Sequence, residues 1–266
     1  MSNYYFLSAS LPTLVLGNKP ALSWDNLLTL LQTHLDPSHL HQLGQVRRMI
    51  DLDNFILHWK GQPLSPYGFW SKSQLQDNLA VHERAEKPIS VWLDQYSCET
   101  NRIDLIERLR MELMLHMRKK SNIVGKYYEL LWKTEGALLS ARMQLLDEQI
   151  DSALLAKFKT DPATASVFDS INSSSLWQEP LFAKLLPIFS LPTPMDQQRA
   201  LSQWRIWVWQ EFLTDSGLLS ASHFSFARIV AYLLEMIEVD RFYNLDPQMG
   251  ITALPQATKQ WLTNQQ

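Results

Sequence analysis

Apolar residues recur at intervals of three and four along most of the chain, the spacing by which one face of an α-helix meets a core. Five acidic or hydroxyl residues stand directly before proline, and such a pair typically opens a helix because the oxygen caps it and proline already has a helical φ. The pairs are Asp36-Pro37, Ser65-Pro66, Asp161-Pro162, Thr193-Pro194 and Asp246-Pro247. The pattern predicts helices over residues 23–34, 37–48, 51–60, 71–84, 89–98, 102–120, 122–158, 162–171, 176–186, 194–214, 222–244 and 255–264.

Two of these helices are long and almost contiguous. The first ends in Arg118-Lys119-Lys120, and only Ser121-Asn122 separates it from the second, so we expect an antiparallel hairpin. The second has no proline up to residue 159 and would span about 55 Å if unbroken, with Gly125 and Gly136 as the places where it could bend.

The composition also favours helices. Leucine occurs 44 times, isoleucine and valine together 22 times and glycine only 8 times, which disfavours sheet folds and glycine-rich nucleotide folds. We therefore predict an all-α (mainly helical), compact multi-helix protein with a long central helical hairpin.

The run from Tyr4 to Leu16, interrupted by Pro12, predicts a short N-terminal strand or extended segment. The chain is expected to form a single helical unit over residues 1–266. An alternative prediction divides this unit into lobes 1–90 and 91–266, because Glu86-Lys87-Pro88 interrupts the helical pattern of apolar residues.

The charge and the single cysteine bound the class of protein. Lysine and arginine number 24 against 27 acidic residues, so no overall basic field exists to hold nucleic acid. Cys98 cannot form an internal disulfide, and the first charged residue is Lys19, unlike the basic start of a signal peptide. No stretch supplies the roughly 20 apolar residues of a membrane span. These features predict a cytoplasmic protein without a transmembrane segment.

Catalytic and metal-binding motifs are mostly missing from the sequence. It contains no phosphate-binding glycine loop, no GxSxG, HExxH, SxxK or CxxC motif, so we predict no cofactor, no metal and no enzymatic activity. One cluster could bind a metal through imidazole and carboxylate groups, but it straddles a predicted helix start, where its acid is explained as a cap. Its members are His34, Asp36, His39 and His41.

Two charged groups are candidates for a partner interface. Arg118, Lys119 and Lys120 form the main basic concentration, at the hairpin tip, where the helix dipole favours cations and where an acidic partner or lipid head groups could bind. Glu235 and Glu238 lie near Arg241, and the spacing allows Glu238 to pair with Arg241 three residues on. Two close carboxylates can also serve as acid and base.

Two stretches carry a resemblance to a known family. They are Tyr4-Tyr5-Phe6-Leu7-Ser8-Ala9-Ser10-Leu11-Pro12 and Leu234-Glu235-Met236-Ile237-Glu238-Val239-Asp240-Arg241-Phe242-Tyr243-Asn244-Leu245-Asp246-Pro247, with a looser likeness over Trp132 to Ala156. They resemble an uncharacterised bacterial family encoded among V-type ATPase subunits, in the place where the C-type (in eukaryotes d-type) subunit is expected. The helix from Tyr232 to Phe242 is similar to the tyrosine and paired-glutamate helix of the C-type subunit, without its preceding lysine and its closing asparagine-leucine-arginine.

The resemblance implies a non-catalytic coupler of this C (d) type in a V-type (V/A-type) ATPase that transports protons or sodium ions. The C-type subunit is helical and funnel-shaped, sits on the membrane rotor ring and receives the central shaft. The expected partners are therefore shaft and ring subunits, and the expected location is cytoplasmic and peripheral at the inner membrane. Two other hypotheses stay open at this point: a free-standing cytoplasmic helical scaffold or adaptor, and a metal-dependent hydrolase using the histidine cluster or the carboxylates at 235–240.

Overall fold

A computed structural model describes residues 4–70, 73–74, 102–147, 183–213 and 225–245. The secondary structure of these ranges is helical, without a strand, which confirms the predicted all-α class. The elements are α1 (Tyr5–Ser10), α2 (Trp24–His34), α3 (Pro37–Val46), α4 (Arg48–Trp59), α5 (Arg102–Met117), α6 (Ile123–Asp147), α7 (Leu186–Phe189), α8 (Pro194–Val208), a π-helical turn (Trp209–Leu213) and α9 (Phe226–Tyr243). The helices predicted at 89–98, 162–171 and 255–264, nearly all of 71–84 and the break between the lobes lie outside the described residues.

Side-chain caps and prolines set several helix starts. Ser23, Thr193 and Ser225 each accept a backbone N–H from three residues on, and Pro37 and Pro194 occupy first turns, as predicted. The pair Ser65-Pro66 does not open a helix, and no predicted helix begins there. The Asn54 side chain accepts the N–H of Ser65 at 2.8 Å and donates to its carbonyl at 3.0 Å, and this pair of bonds holds the residue in a loop after α4.

The N-terminal segment begins with a helix, so the predicted strand is wrong. Residues Tyr5–Ser10 form α1, in which Leu7 is buried and the Ser10 hydroxyl donates to the Leu7 carbonyl at 2.8 Å. Leu11 has ψ 123°, because the residue before Pro12 is disfavoured in the helical region. Residues 11–23 then run without regular structure to α2, so only this second part matches the predicted extended segment.

The predicted hairpin is confirmed by α5 and α6. The Asn122 side chain accepts the N–H groups of Val124 and Gly125 and so caps α6. A Cβ on Gly125 would lie 1.8 Å from the backbone oxygen of Lys120, which explains why glycine stands at this tight turn. Helix α6 continues through Gly125 and Gly136 to Asp147.

Helix α9 lies in the interior of the described structure. Its buried residues include the run from Ile229 to Leu234 and the run from Met236 to Val239, so it is covered on nearly every side. It packs against α8 and the π-helical turn, and that turn also contacts α6. Most of its buried apolar side chains belong to one hydrophobic cluster that extends from Tyr4 to Ile237 along the chain.

Candidate functional site

The N-terminal segment runs alongside α9 in the same direction. Near its start, Tyr4 contacts His39, whose ring stacks on Phe226 in the first turn of α9 with centroids 4.1 Å apart. In the middle, the Tyr232 hydroxyl donates to the Pro12 carbonyl at 3.0 Å. The third contact is at the C-terminal end of α9, where a Cβ on Gly17 would lie 4.0 Å from the Phe242 ring. The N-terminal segment, which contains the first stretch with family resemblance, therefore packs along the helix that carries most of the second stretch.

A polar cluster fixes the start of this segment. The Tyr4 hydroxyl donates to Asp36 at 3.0 Å and is also bonded to Nδ1 of His39. Because Tyr4 has one hydroxyl proton, Nδ1 of His39 must donate the second bond. The result is a chain of bonds from imidazole through phenol to carboxylate, which ties the N-terminus of α3 to the residue before α1.

The predicted histidine cluster does not converge on one point. His39 bonds to Tyr4, while Nε2 of His41 is bonded to the Gln45 side-chain amide at 2.9 Å. Within the part of the chain that the structure describes, no group of three or more His, Cys, Asp or Glu side chains is placed to hold a metal ion. Asp36 stands at the N-cap of α3 without a capping hydrogen bond and binds Tyr4 instead.

The carboxylates of α9 have different partners, and the predicted pairing of Glu238 with Arg241 is wrong. Glu238 is only 4% exposed and accepts bonds from the Ser202 hydroxyl at 2.7 Å and from Arg205 at 3.1 Å. Glu238 faces α8 because α9 is enclosed, so a partner could reach Arg241, which is exposed, but not Glu238. Glu235 accepts a bond from Gln210 of the π-helical turn at 3.0 Å. Burial raises the pKa of Glu235.

The hairpin tip is partly engaged in internal contacts. Arg118 pairs with Glu129 at 3.8 Å, and its guanidinium lies 5.4 Å from the Trp132 ring centroid. Lys119 is exposed and Lys120 is half-buried. The contacts of Arg118 are thus with α6, whereas Glu235 and Glu238 bind the π-helical turn and α8, so the two predicted groups of interface residues belong to different parts of the fold.

A buried polar clamp between α4 and the following loop was not predicted from the sequence. Asp51 is fully buried and its Oδ1 accepts the N–H groups of Phe69 at 2.6 Å and Trp70 at 3.0 Å. Arg47 donates to the carbonyls of Tyr67 and Gly68. Burial raises the pKa of Asp51 to about 6 and lowers that of Arg47 to about 10. The clamp fixes the backbone of the loop at four consecutive residues.

The clamp also holds an exposed aromatic ring. The Arg48 guanidinium lies 4.5 Å from the ring centroids of both Phe69 and Trp70. A Cβ on Gly44 would lie 2.7 Å from the Phe69 ring, so glycine is needed there for the ring to fit. Phe69 remains 42% exposed beside an open cleft of about 650 Å³. The cleft lies beside the loop, and its described lining includes His58, Leu64, Pro66 and Trp70.

One sequence signal could have indicated the clamp. Arg47, Arg48, Asp51 and Asn54 are spaced as one face of a helix whose other residues are mainly apolar, such as Leu52 and Phe55. Charged residues are seldom fully buried unless they are paired, so their burial here requires partners on another element. The identity of that element, the loop at 65–70, could not be read from the spacing.

These contacts define an all-helical protein built around an enclosed helix, with the N-terminal segment and a clamped loop packed around it. The chain belongs to the DUF2764 family, described as a protein of unknown function, because its residues 1–175 match that family. An uncharacterized protein of Chlamydia pneumoniae is 36% identical over 74 residues. That match covers 28% of this chain and 27% of the relative, so the chain spans about a quarter of the relative's length in the comparison. No solved structure gives a significant match.

None of the described helices combines the length and the apolar character that a membrane crossing requires.

Proposed function

We propose that this protein is a non-catalytic subunit of a bacterial V-type (V/A-type) ATPase, a coupler of the C (d) type between the central shaft and the membrane rotor ring in proton or sodium transport. The observation that carries the proposal is the packing of the N-terminal segment along α9. Both stretches resemble the uncharacterised family encoded with V-type ATPase subunits. The first stretch ends at Pro12, whose carbonyl accepts a bond from Tyr232 of α9, and the same helix carries the second stretch from Leu234 to Tyr243.

The internal contacts of the helices suit a part that transmits force. The carboxylate of Glu238 joins α9 to Ser202 and Arg205 of α8, and the hydroxyl of Tyr232 joins α9 to the N-terminal segment. Buried, hydrogen-bonded carboxylates resist displacement because breaking one partner leaves an uncompensated charge in the interior. A torque-transmitting subunit needs such fixed connections between its helices.

The proposed location is cytoplasmic and peripheral at the inner membrane, through shaft and ring subunits. The hairpin tip, Arg118 to Lys120, and Arg241 at the end of α9 are the proposed contact groups. Charge–charge contacts of exposed side chains weaken as salt is added, with a screening length near 10 Å at about 0.1 M. Association through these groups should therefore depend on ionic strength.

The test is co-purification from the source organism. We expect an affinity-tagged chain to bring down V-type ATPase shaft and ring subunits from solubilised membranes at 50 mM salt. The variant Arg118→Glu/Lys119→Glu/Lys120→Glu should recover less of the complex at 50 mM salt while its circular dichroism stays unchanged. Undiminished recovery by this variant would show that the tip is solvated and makes no contact.

Loss of the protein gives an independent readout. A coupler takes no part in bond breaking, so deletion should abolish ATP-driven ion transport by membrane vesicles while ATP hydrolysis by the soluble part of the complex persists. Wild-type protein that purifies without any ATPase subunit, together with normal transport in the deletion strain, would contradict the proposal and favour a free-standing scaffold.

A further inference from the structure

The C-terminal end of α9 brings three parts of the chain around one aromatic ring. The Phe242 ring is buried, and the guanidinium of Arg199 on α8 lies 5.5 Å from its centroid. A Cβ on Gly17 would lie 4.0 Å from Cε1 of the same ring. The N-terminal segment, α8 and α9 therefore meet at Phe242, and residues next to these contacts share one region of the surface.

Exposed apolar side chains are concentrated in this region. Val15 is 53% exposed and lies two residues from Gly17, while Tyr243 and Leu245, close to Phe242 in the chain, are 46% and 41% exposed. We call Val15, Arg199, Arg241, Tyr243 and Leu245 the Phe242 patch. Scattered apolar residues on a surface need no explanation, but tyrosine and arginine, here Tyr243, Arg199 and Arg241, are the residue types enriched at interface hot spots.

The patch has an excess of positive charge. Arg199 and Arg241 are both exposed, and neither makes an ion pair with the described part of the chain. The nearby acids are engaged: Asp240 accepts bonds from the Tyr67 hydroxyl and the Asn244 side chain, and Asp53 pairs with Arg110 at 2.7 Å. Burial raises the pKa of Asp53 although the charges of Arg110 and Arg241 oppose this. Among the described residues, no carboxylate lies within ion-pair distance of either guanidinium group, and both are exposed to an external carboxylate.

We propose that the Phe242 patch binds an acidic, partly apolar segment of a protein partner. Arginine binds carboxylates through two parallel hydrogen bonds, and desolvation by apolar neighbours such as Tyr243 and Leu245 strengthens such bonds. A protein is favoured over an anionic membrane because lipid recognition typically uses clusters of about four to eight cations, while this patch has two and the chain carries a net charge of −3. The inference rests on the proposed function only for the identity of the partner, since its chemistry follows from the patch.

The experiment uses a defined probe with the full chain. A fluorescein-labelled helical peptide with glutamates and leucines on one face is titrated by anisotropy at 50 and 300 mM NaCl, beside a peptide with lysine at every glutamate position. The variants are Arg199→Glu/Arg241→Glu and, as a matched control, Lys60→Glu/Lys184→Glu, which reverses two exposed cations at the end of α4 and just before α7. If charge reversal disturbs folding, Arg199→Gln/Arg241→Gln is used as the second variant.

We expect the acidic peptide to bind at least tenfold more tightly than the lysine peptide at 50 mM NaCl. The arginine variants should weaken binding at least tenfold, and the lysine control less than twofold. Equal weakening by both pairs would overturn the proposal, because it would indicate general charge attraction. Absence of binding to the wild type would also overturn it.

The same variants distinguish a membrane from a protein and separate this inference from the proposed function. Sedimentation with phosphatidylglycerol vesicles that the arginine variants abolish would assign the patch to the membrane and overturn the protein partner. Peptide binding at the patch, with no ATPase subunit recovered in co-purification, would retain the patch and contradict the proposed function. Recovery of ATPase subunits in co-purification, without peptide binding at the patch, would retain the proposed function and show that the patch takes no part in it.

Discussion

Asp51 provides a test of whether burial or ion pairing determines the pKa of the carboxyl group in the clamp between α4 and its loop. Its carboxylate is fully buried, accepts two backbone N–H groups and lies 3.5 Å from a nitrogen of Arg48. Desolvation is the larger effect and raises its pKa from 3.8 to about 6. If the arginines dominated instead, the pKa would fall, so the two explanations predict opposite dependence of stability on pH.

The direction in which stability changes with pH follows from proton linkage. Between about pH 4 and pH 6 the folded protein holds a proton on Asp51 that the unfolded chain has largely released, so stability rises as the pH falls through this window and is lost again as the pH rises through 6. The full difference corresponds to about 3 kcal/mol, at about 1.4 kcal/mol for each tenfold change in proton affinity. From pH 7.5 to pH 4.5 the gain from this one group is about 2 kcal/mol.

Asp51→Asn isolates that contribution. Asparagine keeps Oδ1 for the N–H groups of Phe69 and Trp70 but cannot titrate, so the stability difference between wild type and variant should move by about 2 kcal/mol in favour of the wild type between pH 7.5 and 4.5. Urea unfolding followed by circular dichroism at 222 nm, at five pH values, measures it. Asp51→Ala is the control: two buried donors lose their acceptor, which should cost about 2–4 kcal/mol at pH 7.5, and because alanine cannot titrate either, this cost should grow on acidification by the same amount as for Asp51→Asn. A difference that is constant with pH, or that favours Asp51→Asn on acidification, would refute the argument.

Three further predictions concern single contacts. Gly125→Ala should destabilise the protein by about 1–3 kcal/mol, although alanine normally favours a helix, because its Cβ would meet the backbone oxygen of Lys120; an increased melting temperature would contradict this. Glu238→Leu should cost about 2–3 kcal/mol in urea unfolding, and adding Ser202→Ala should recover part of that loss, since the unsatisfied hydroxyl is removed; strictly additive losses would argue against the bond. Tyr232→Phe should cost about 1 kcal/mol and speed hydrogen exchange in the N-terminal segment, and unchanged exchange there would show that the bond does not hold it.

The helix positions could largely be predicted because their determinants are local. Capping oxygens act within three residues, so the starts at Ser23, Thr193 and Ser225 depend on their immediate neighbours. Features that the local pattern does not determine depend on contacts outside that range. Ser65 precedes proline like a cap, but Asn54, eleven residues earlier, bonds to its backbone in the loop. The N-terminal run resembles a strand in composition but forms a helix over Tyr5–Ser10, in which Leu7 is buried.

The candidate site was harder to predict because its contacts join distant residues. The Tyr67 hydroxyl binds Asp240, 173 positions away, and the Tyr232 hydroxyl binds the backbone at Pro12, 220 positions away. The spacing of Glu238 and Arg241 places them three residues apart on one helix, but it does not show which face of that helix is enclosed. Once α9 is central, a carboxylate on it must find a partner inside, and Arg205 of α8 provides it.

Two cationic surfaces, the hairpin tip and the C-terminal end of α9, differ in how far the fold itself accounts for their exposed charges and apolar side chains. Arg118 to Lys120 follow the end of α5 and Arg241 lies in the last turn of α9, where helix dipoles favour positive charge without any partner. Arg118 also has an internal carboxylate and an internal aromatic ring, so most of the tip needs no external ligand. The dipole gives no reason for Tyr243 and Leu245 to remain about half exposed near Arg241, because each forgoes part of the roughly 1.5–3 kcal/mol that full burial of a large apolar side chain contributes. The combination of exposed apolar area and cations therefore makes the end of α9 the stronger candidate for a protein interface than the hairpin tip.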